Sequence, residues 1–308
     1  MNSSIYDIII VGGGPAGLTA GLYASRARLK TLLIEKVALG GQVTKSEQIE
    51  NYPGFEEGIS GFQLIQNLEK QAKGFGLTVE TGEVQDILSL HNNKKTLTVQ
   101  DRELRCKALI IATGSESNTL GVPGEEKLLG RGVSYCATCD GAFFRDREVA
   151  VVGGGDAAVE EALFLTRLVK KVHIIHRRDQ LRAIKILQER ALAHDKIAFI
   201  WNTVVETIEG ENSVESLTLK NVKDDSPSSL NAEGVFIYVG LSPNTTWLKS
   251  TLPLTEQGFI ETNDAMETSL PGVFAAGDVR HKLLRQIATA VGDGSTAAFA
   301  AEKYLDTL

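Results

Sequence analysis

The chain is poor in cysteine and lacks the features that define several common protein classes. It has 3 cysteines in 308 residues, too few for the disulfide framework of a small secreted protein. No second cysteine pair or histidine pair stands at ligand spacing, so no metal site is expected. No apolar run reaches the roughly 20 residues that span a bilayer, and no basic leader with an apolar core is present. The sequence therefore predicts a cytoplasmic protein without a membrane partner.

An excess of positive charge is also missing. The 32 lysines and arginines face 39 acidic residues, which gives a net charge of -7 and argues against a nucleic acid partner. Neither a Gly-x-Ser-x-Gly motif nor a pair of carboxylates suited to hydrolysis is found. The length fits two domains and allows a sizeable core.

What is present is one strand, turn, helix, strand plan used twice. The first copy runs through an apolar strand at 5–11 and a helix at 16–27 to a strand ending at Glu35. The second copy runs through 148–152 and a helix at 156–168 to a strand at 172–175. Three short strands are predicted after each copy, at 77–79, 84–90 and 96–99 in the first half, and at 197–201, 203–208 and 214–219 in the second. The stretch 224–229 is interpreted as an exposed loop.

Each half returns through an apolar strand that ends in glycine, at 108–114 and at 235–240. A last strand at 272–276 and a helix at 284–305, interrupted by Gly292 and Gly294, are expected to return to the first half. We therefore predict an α/β fold of two Rossmann-like, three-layer nucleotide-binding domains, the second inserted in the first, each with a small antiparallel β-meander. The predicted boundaries are 1–117 with 244–308 for the split domain and 118–243 for the insert. Short crossings near 114–118 and 240–244 form a two-strand hinge.

The first turn has the pattern Gly12-x-Gly14-x-x-Gly17 between a strand and a helix. Such glycines let the backbone approach a pyrophosphate, which binds at the helix N-terminus. Glu35, at the end of the next strand, is placed to accept hydrogen bonds from a ribose 2′-hydroxyl. The pattern predicts a dinucleotide site, against the alternative of a merely tight turn.

The second turn has the variant pattern Gly153-x-Gly155-x-x-Ala158. Its second strand ends in His176-Arg177-Arg178, with Arg182 nearby, where the first copy has an acid. Guanidinium groups match a phosphate and favour the 2′-phosphate of NADPH. The alternative is a solvated basic turn.

Cys136 and Cys139 are three residues apart, so a helix places both sulfurs on one face, where they can close a disulfide. A helix that begins near Cys136 would lower the thiolate pKa. Inert buried thiols, or half of a zinc site, are the alternatives. Asp140 is either a general acid or a cap near a helix start. Cys106 is interpreted as a small core residue.

Together these residues resemble the low-molecular-weight thioredoxin reductases over essentially the whole chain. The dithiol within the second nucleotide domain is the specific part of the resemblance. The remaining shared motifs are Gly40-Gly41-Gln42, Asn51-Tyr52-Pro53-Gly54, Ala112-Thr113-Gly114 and Ala275-Ala276-Gly277-Asp278, leading to Arg285-Gln286.

The resemblance implies FAD in the split domain, NADPH in the insert, a homodimer, and thioredoxin or a thioredoxin-like protein as partner. It implies that Cys139 faces the flavin and that Asp140 acts as acid. The implied FAD contacts are Gly12, Gly14, Pro15, Ala16, Gly17, Glu35, Gly41, Gln42, Asn51, Val84, Ala112, Gly114, Asp278, Arg285, Gln286 and Ile287. The implied NADPH contacts are Gly153, Gly155, Asp156, Ala157, Ala158, His176, Arg177, Arg178, Arg182 and Gly240. Because the dithiol and the nicotinamide both need the flavin, the insert is expected to rotate between half-reactions.

Other functions are compatible with the same scaffold. A reductase of a peroxiredoxin-type partner usually carries an extra N-terminal redox module, and a small-molecule dithiol oxidase would not need His176-Arg177-Arg178. A non-catalytic flavin or NADPH sensor would not need the cysteine pair. Flavin reduction without disulfide transfer would indicate a diaphorase-like enzyme.

Overall fold

The computed structural model describes residues 5–46, 49, 51–89, 94–100, 102–248 and 251–308, without the side chains of Lys45, Thr138 and Cys139. The chain divides into two compact units. The first comprises Met1–Glu116 and Ser242–Leu308, and the second comprises Ser117–Leu241. The second unit is therefore continuous in sequence, whereas the first is split around it.

The elements are numbered in chain order. The strands are β1 (Tyr6–Val11), β2 (Thr31–Glu35), β3 (Thr78–Thr81), β4 (Val84–Ser89), β5 (Lys95–Val99), β6 (Arg102–Ile111), β7 (Ser115–Ser117), β8 (Val133–Ser134), β9 (Glu148–Gly153), β10 (Lys171–His176), β11 (Ile197–Trp201), β12 (Thr203–Glu209), β13 (Ser216–Asn221), β14 (Pro227–Asn231), β15 (Gly234–Tyr238), β16 (Leu241–Pro243) and β17 (Val273–Ala275). The helices are α1 (Pro15–Arg26), α2 (Gly61–Gly74), α3 (Ala137–Asp140), α4 (Asp156–Leu165), α5 (Lys185–Leu192) and α6 (Ile287–Asp306).

The first unit is built on a mixed sheet in the order β3-β2-β1-β6-β5-β4, with β17 also paired to β6. Strand β6 joins the two parts of this sheet: it pairs in parallel with β1 and β17 and antiparallel with β5. Ile8, Ile9 and Ile10 of β1 are fully buried, as expected for a strand with parallel neighbours on both sides and covered faces. The parallel strands all end at the same edge, where the turn after β1 lies.

Helix α6 runs without a break through Gly292 and Gly294, so the predicted interruption is wrong. Gly294 serves close packing instead: a Cβ there would lie 2.2 Å from the carbonyl oxygen of Ala16 in α1. The helix also begins at Ile287 rather than near 284, after the N-cap residue Gln286.

The second unit has a parallel sheet in the order β11-β10-β9-β15-β8 and a separate antiparallel sheet in the order β12-β13-β14. Apolar residues of β9 fill the cores on both faces of the parallel sheet: Val149 and Val151 on one side, Ala150 and Val152 on the other. This arrangement repeats the parallel part of the first unit.

The predicted α/β class, with two Rossmann-like units and an antiparallel meander in each, is confirmed. The three short strands predicted in each half do not all belong to the antiparallel meander. The first strand of each predicted trio, β3 or β11, pairs in parallel with the main sheet of its own unit. The meanders are β4-β5-β6 and β12-β13-β14.

Two further predictions about element bounds need correction. Part of the predicted loop 224–229 is strand β14, an exposed edge strand that carries almost no apolar signal. Helix α4 ends at Leu165, three residues before its predicted end. Residue 90, the predicted end of another strand, lies outside the described residues.

The two crossings between the units contain β7 and β16, which pair with each other in a two-stranded sheet. Among the residues that the structure describes, no helix is both long and apolar enough to cross a bilayer.

Candidate active site

The turn after β1 needs glycine at two positions for steric reasons. Gly12 has a φ of +107°, and a Cβ there would lie 2.2 Å from the carbonyl oxygen of Ala112. A Cβ on Gly17 would lie 1.8 Å from the carbonyl oxygen of Gly12. Both distances are below van der Waals contact, so any larger residue must displace the backbone. The turn therefore brings the start of α1 close against the sheet.

Gly14, by contrast, borders open space. It is the N-cap residue of α1, makes no side-chain cap, and has no atom within 4 Å of an ideal Cβ. The Cα of Gly14 lies 3.9 Å from the ideal Cβ of Gly41, so the Gly40-Gly41-Gln42 loop flanks this opening. Pro15 occupies the first turn and donates no hydrogen bond, which leaves the N–H groups of Ala16 and Gly17 facing the opening. A pyrophosphate fits this arrangement.

Glu35 is held against the same turn by two backbone hydrogen bonds. Its Oε2 accepts a hydrogen bond from the N–H of Gly13 at 2.7 Å, and its Oε1 accepts one from Val37 at 3.2 Å. Each carboxylate oxygen has a further lone pair, so the group can also accept a hydrogen bond from a ribose hydroxyl.

Asp278 follows β17 and carries a buried oxygen that needs a partner. Its Oδ1 makes no hydrogen bond within the described part of the chain, and Lys282 Nζ is 3.8 Å away. Burial raises the pKa of Asp278, an effect that Lys282 and Arg285 oppose. The Nε of Arg285 is likewise buried without a hydrogen bond, while its guanidinium lies over the ring of Phe259 at 4.1 Å. A ligand with both donors and acceptors, such as the flavin end of FAD, would satisfy these atoms.

Two predicted contacts that are distant in sequence meet directly. The Nδ2 of Asn51 donates a hydrogen bond to the Oε1 of Gln286 at 3.0 Å. Gln286 also caps α6 through a reciprocal capping box with Thr289, so the side chain is fixed just before Ile287.

The other predicted residues of this unit lie as follows. Gln42 is exposed in a short 3₁₀ turn, Gly41–Lys45, and Val84 is partly buried at the start of β4. Gly114 follows β6 with a φ of +67°, and its carbonyl oxygen accepts a hydrogen bond from the N–H of Asn244 at 3.0 Å.

In the second unit the turn after β9 has the same construction. Gly153 has a φ of +148°, and a Cβ there would lie 2.4 Å from the carbonyl oxygen of Tyr238 and 2.8 Å from the Cβ of Ala158. Gly155 is the N-cap residue of α4 and faces open space, with Arg182 Nη2 at 4.0 Å from an ideal Cβ. This opening is also suited to a pyrophosphate.

The segment that carries Arg182 is fastened to this turn. The carbonyl oxygen of Gly154 accepts hydrogen bonds from the N–H groups of Arg182 at 2.6 Å and Ala183 at 3.1 Å. The Oδ1 of Asp156 accepts one from the N–H of Ile184 at 2.7 Å. Asp156 therefore holds the protein's own backbone. Next to it, Ala157 is exposed and Ala158 is buried.

His176 ends β10 beneath the turn, and the arginines surround it. A Cβ on Gly154 would lie 2.6 Å from the buried imidazole ring, so the ring packs directly on the turn. Burial lowers the pKa of His176, and Arg182, Arg178 and Arg177 lower it further. These three arginines are exposed. Three exposed guanidinium groups beside this ring are chemically suited to a phosphate dianion.

Gly240 lies at the second crossing. It has a φ of +128°, and its carbonyl oxygen accepts a hydrogen bond from the N–H of Asn118 at 2.9 Å. It follows β15 by two residues and is exposed.

Cys136 is disulfide-bonded and partly buried, immediately before the single-turn helix α3. Its carbonyl oxygen accepts a hydrogen bond from the N–H of Asp140 at 3.1 Å. The backbone of Cys139 lies within α3, and its side chain is outside the described part of the chain. Cys106, by contrast, is a free thiol that is fully buried in β6, and burial raises its pKa to about 12. A buried core thiol is thus distinguished from a disulfide-bonded cysteine.

The Asp140 carboxylate is hydrogen-bonded beside the disulfide and caps no helix. Its Oδ2 accepts a hydrogen bond from the Ser134 hydroxyl at 2.6 Å, and no side-chain cap bond is formed at the following 3₁₀ turn. The same Ser134 oxygen accepts a hydrogen bond from the N–H of Cys136 at 3.0 Å. Ser134 therefore connects the Asp140 carboxylate to the backbone of Cys136.

Known proteins resemble this chain over nearly its whole length. The pyridine nucleotide-disulphide oxidoreductase family matches residues 6–294. A thioredoxin reductase of Listeria innocua is 51% identical over 305 residues, which cover 99% of this chain and 95% of that protein. The chain belongs to the thioredoxin reductase family.

Solved structures of this family agree. The thioredoxin reductase of Lactococcus lactis, in what is named the FR conformation, superposes with a TM-score of 0.94 at 47% identity, covering 98% of this chain and 100% of that one. The thioredoxin reductase of Streptococcus pyogenes gives a TM-score of 0.69 at 48% identity, with both chains fully covered.

Three side chains near Cys136 carry no signal that the sequence patterns above use. They are Ser134, Tyr238 and Glu161. Tyr238 accepts a hydrogen bond from the N–H of Ala137 at 2.8 Å. Glu161, on α4, has a buried Oε2 that is unpartnered within the described residues, and burial, with the adjacent Glu160, raises its pKa to about 7. Only Ser134, two residues before Cys136, is near enough in sequence to have been found.

Proposed function

We propose that this chain is an NADPH-dependent flavoprotein disulfide reductase that reduces thioredoxin or a thioredoxin-like protein. The observation that carries the proposal is that one unit holds both the arginine-flanked dinucleotide turn and the Cys136 disulfide. A sensor would not need the disulfide, and a reductase that uses another electron donor would not need the arginines. Membership of the thioredoxin reductase family supports the same function.

The cofactors are assigned by the chemistry of the two openings. In the proposal FAD occupies the split domain, 1–117 with 244–308, and NADPH occupies the insert, 118–243. Gly14, Glu35, Asp278 and Arg285 would hold FAD, because they offer a pyrophosphate opening, a carboxylate for a ribose and two buried unpaired polar atoms. The arginine cluster around His176 would hold the 2′-phosphate of NADPH. Bound together, the two cofactors would supply two electrons to the Cys136–Cys139 disulfide, which NADPH would provide as a hydride to the flavin.

The protein's own groups complete the transfer. Opening of the disulfide would release a thiolate, and we assign Asp140, whose Oδ2 accepts a hydrogen bond from the Ser134 hydroxyl, as the acid that protonates it. One thiolate of the reduced pair then attacks the partner's disulfide and forms a mixed disulfide. The second sulfur of the pair displaces the partner as a dithiol and restores the Cys136–Cys139 bond. Cys139 is assigned as the sulfur nearest the flavin.

The insert must move during this cycle in our proposal. Its turn and its dithiol both have to reach the flavin, and a sulfur must afterwards meet a second protein. Rotation at the paired crossings β7 and β16 would allow each encounter in turn. An engineered cross-link between the two domains should preserve one half-reaction and stop turnover.

A homodimer and a cytoplasmic location are further parts of the proposal. NADPH-driven disulfide reduction belongs to a reducing compartment. Sedimentation of the purified flavoprotein and cell fractionation test the two statements.

The decisive experiment is reduction of candidate thioredoxins by NADPH, with Cys136→Ser, Cys139→Ser and the matched control Cys106→Ser. Each variant of the pair should lose thioredoxin reduction by roughly 10³-fold or more, because disulfide exchange needs both sulfurs. NADPH should still bleach the flavin band under anaerobic conditions. The control should keep the parent rate, because Cys106 is a buried free thiol in the other unit. Parent-level thioredoxin reduction by either variant of the pair would refute the proposal.

A further inference from the structure

Tyr238 joins two functional parts of the second unit. It is the last residue of β15, which lies between β9 and β8 in the parallel sheet. Its phenolic oxygen accepts a hydrogen bond from the N–H of Ala137 at 2.8 Å, and Ala137 is the residue directly after Cys136.

The backbone of the same tyrosine forms one wall of the dinucleotide turn. Tyr238 is paired with Gly153 in the sheet, and its carbonyl oxygen occupies the space that a Cβ on Gly153 would need. The side chain thus contacts the dithiol helix while the main chain contacts the nucleotide turn. Tyr238 sets the distance between these two parts within the unit.

The hydrogen bond to Ala137 has no substitute within α3. The first N–H groups of a helix have no intrahelical acceptor, and Ala137 is fully buried and so is shielded from water. Burial, reinforced by the carboxyl group of Glu161, raises the pKa of Tyr238 well above its usual range. The phenol therefore stays neutral and protonated, and its oxygen remains an acceptor at any physiological pH.

We propose that Tyr238 is a positioning residue for disulfide exchange, holding the Cys136 end of α3 at a set place relative to the Gly153 turn. The inference rests on the proposed function, and it assigns the hydroxyl to one half of the cycle. Exchange between sulfurs requires their accurate placement, and it depends on this anchor. Reduction of the flavin by NADPH does not involve α3 and is independent of the anchor.

The test is Tyr238→Phe, with Tyr135→Phe as its matched control. Both variants remove one hydroxyl from a partly buried tyrosine of the same unit. Tyr135 directly precedes Cys136, but its hydroxyl bonds to the buried carboxylate of Glu125 instead of to α3. The control therefore separates loss of the Ala137 acceptor from any disturbance near the dithiol.

Three quantities are measured: deuterium exchange at the Ala137 amide, the rate of flavin bleaching by NADPH, and kcat for thioredoxin reduction. Y238F should exchange the Ala137 amide about five- to tenfold faster and lower kcat about five- to tenfold, the usual effect of one lost hydrogen bond. Flavin bleaching and the KM for NADPH should stay at the parent values. Y135F should change neither the Ala137 exchange rate nor kcat by this factor.

Unchanged exchange at Ala137 in Y238F would overturn the inference, as would equal losses in bleaching and kcat or the same effects in Y135F. The exchange measurement needs no thioredoxin. If the parent protein reduces no thioredoxin while Y238F still accelerates exchange at Ala137, the proposed function has failed and the structural anchor stands.

Discussion

The turns after β1 and β9 have the same strand, glycine turn and helix, yet they differ where the next strand ends. In the first unit β2 ends in Glu35, whose carboxylate accepts a hydrogen bond from the N–H of Gly13. In the second unit β10 ends in His176, whose ring packs on Gly154 at the corresponding place. Arginines follow His176, whereas Lys36 and Val37 follow Glu35.

In the proposed function, the shared part of these turns binds a pyrophosphate, and the part that differs selects the nucleotide. A carboxylate accepts hydrogen bonds from ribose hydroxyls and repels a 2′-phosphate. Guanidinium groups attract that phosphate. We therefore expect one backbone plan to bind two different cofactors, with the choice made by the residues at the end of the neighbouring strand.

The largest expected effect concerns the last residue of the Gly-x-Gly-x-x-Gly/Ala pattern, which is Gly17 in the first turn and Ala158 in the second. Gly17→Ala should destabilise the cofactor-free protein by about 3 kcal/mol or more, because the new Cβ would lie 1.8 Å from the Gly12 carbonyl oxygen. Gly14→Ala, which meets no atom within 4 Å, should change the free energy of unfolding by about 1 kcal/mol or less. Urea unfolding measures both. Equal stability of the two variants would contradict the steric difference between the positions.

The second effect concerns the arginines. Replacing Arg177 and Arg178 by alanine should raise the KM for NADPH roughly 10- to 100-fold, since two charge-assisted contacts to the 2′-phosphate are lost. The KM for NADH should stay almost constant because NADH has no such phosphate. Arg190→Ala, an exposed arginine on α5, is the control and should leave both values unchanged. Equal increases in the KM values for NADPH and NADH would show that the arginines do not bind the 2′-phosphate.

The third effect concerns Glu35. Glu35→Gln keeps an acceptor for the N–H of Gly13 but loses the charge, so FAD should dissociate about tenfold more readily. Recovery of flavin fluorescence on dilution measures this dissociation. Glu83→Gln removes the exposed ion pair with Lys36 in the same unit and serves as the control. An equal increase in FAD dissociation in Glu83→Gln would show that the effect comes from the lost negative charge of the unit and not from the position of Glu35.

The smallest effect is a pH dependence confined to the second turn. The pKa of His176 is lowered by burial, so the folded protein binds its proton less readily than the unfolded chain. The contribution of His176 to stability is therefore present above its ordinary pKa of 6.5 and is lost as the pH falls below that value. His176→Asn should flatten this part of the stability profile, and the partly exposed control His194→Asn should not. Urea unfolding between pH 5 and pH 8 measures the free energy of unfolding of each variant. An unchanged pH dependence in His176→Asn would contradict the prediction.

Local pattern was enough to predict the turns, the cysteine pair and the α/β class, because each depends on residues close together in the chain. Gly12, Gly17 and Gly153 are required by contacts made within one turn and its neighbouring strand. The contact between Asn51 and Gln286 spans 235 positions, so only folding brings the two side chains together. Tyr238 was missed for a similar reason.

Two other features were not predicted because the local sequence favours a different structure at each of them. Strand β14 is polar and exposed, and it exists through its pairing with β13 rather than through a buried face. Gly294 is a poor helix former, yet tertiary packing against Ala16 overrides that local preference.

Because the first unit is split in sequence, its two segments are synthesised at different times. Strand β17 and helix α6 complete its sheet and cover α1, but they are translated only after the whole inserted unit. The insert is continuous and can fold while the nascent first unit still has an uncovered apolar side. A chain stalled or cleaved before α6 would thus expose the Ala-rich face of α1, a natural target for chaperones and quality-control proteases.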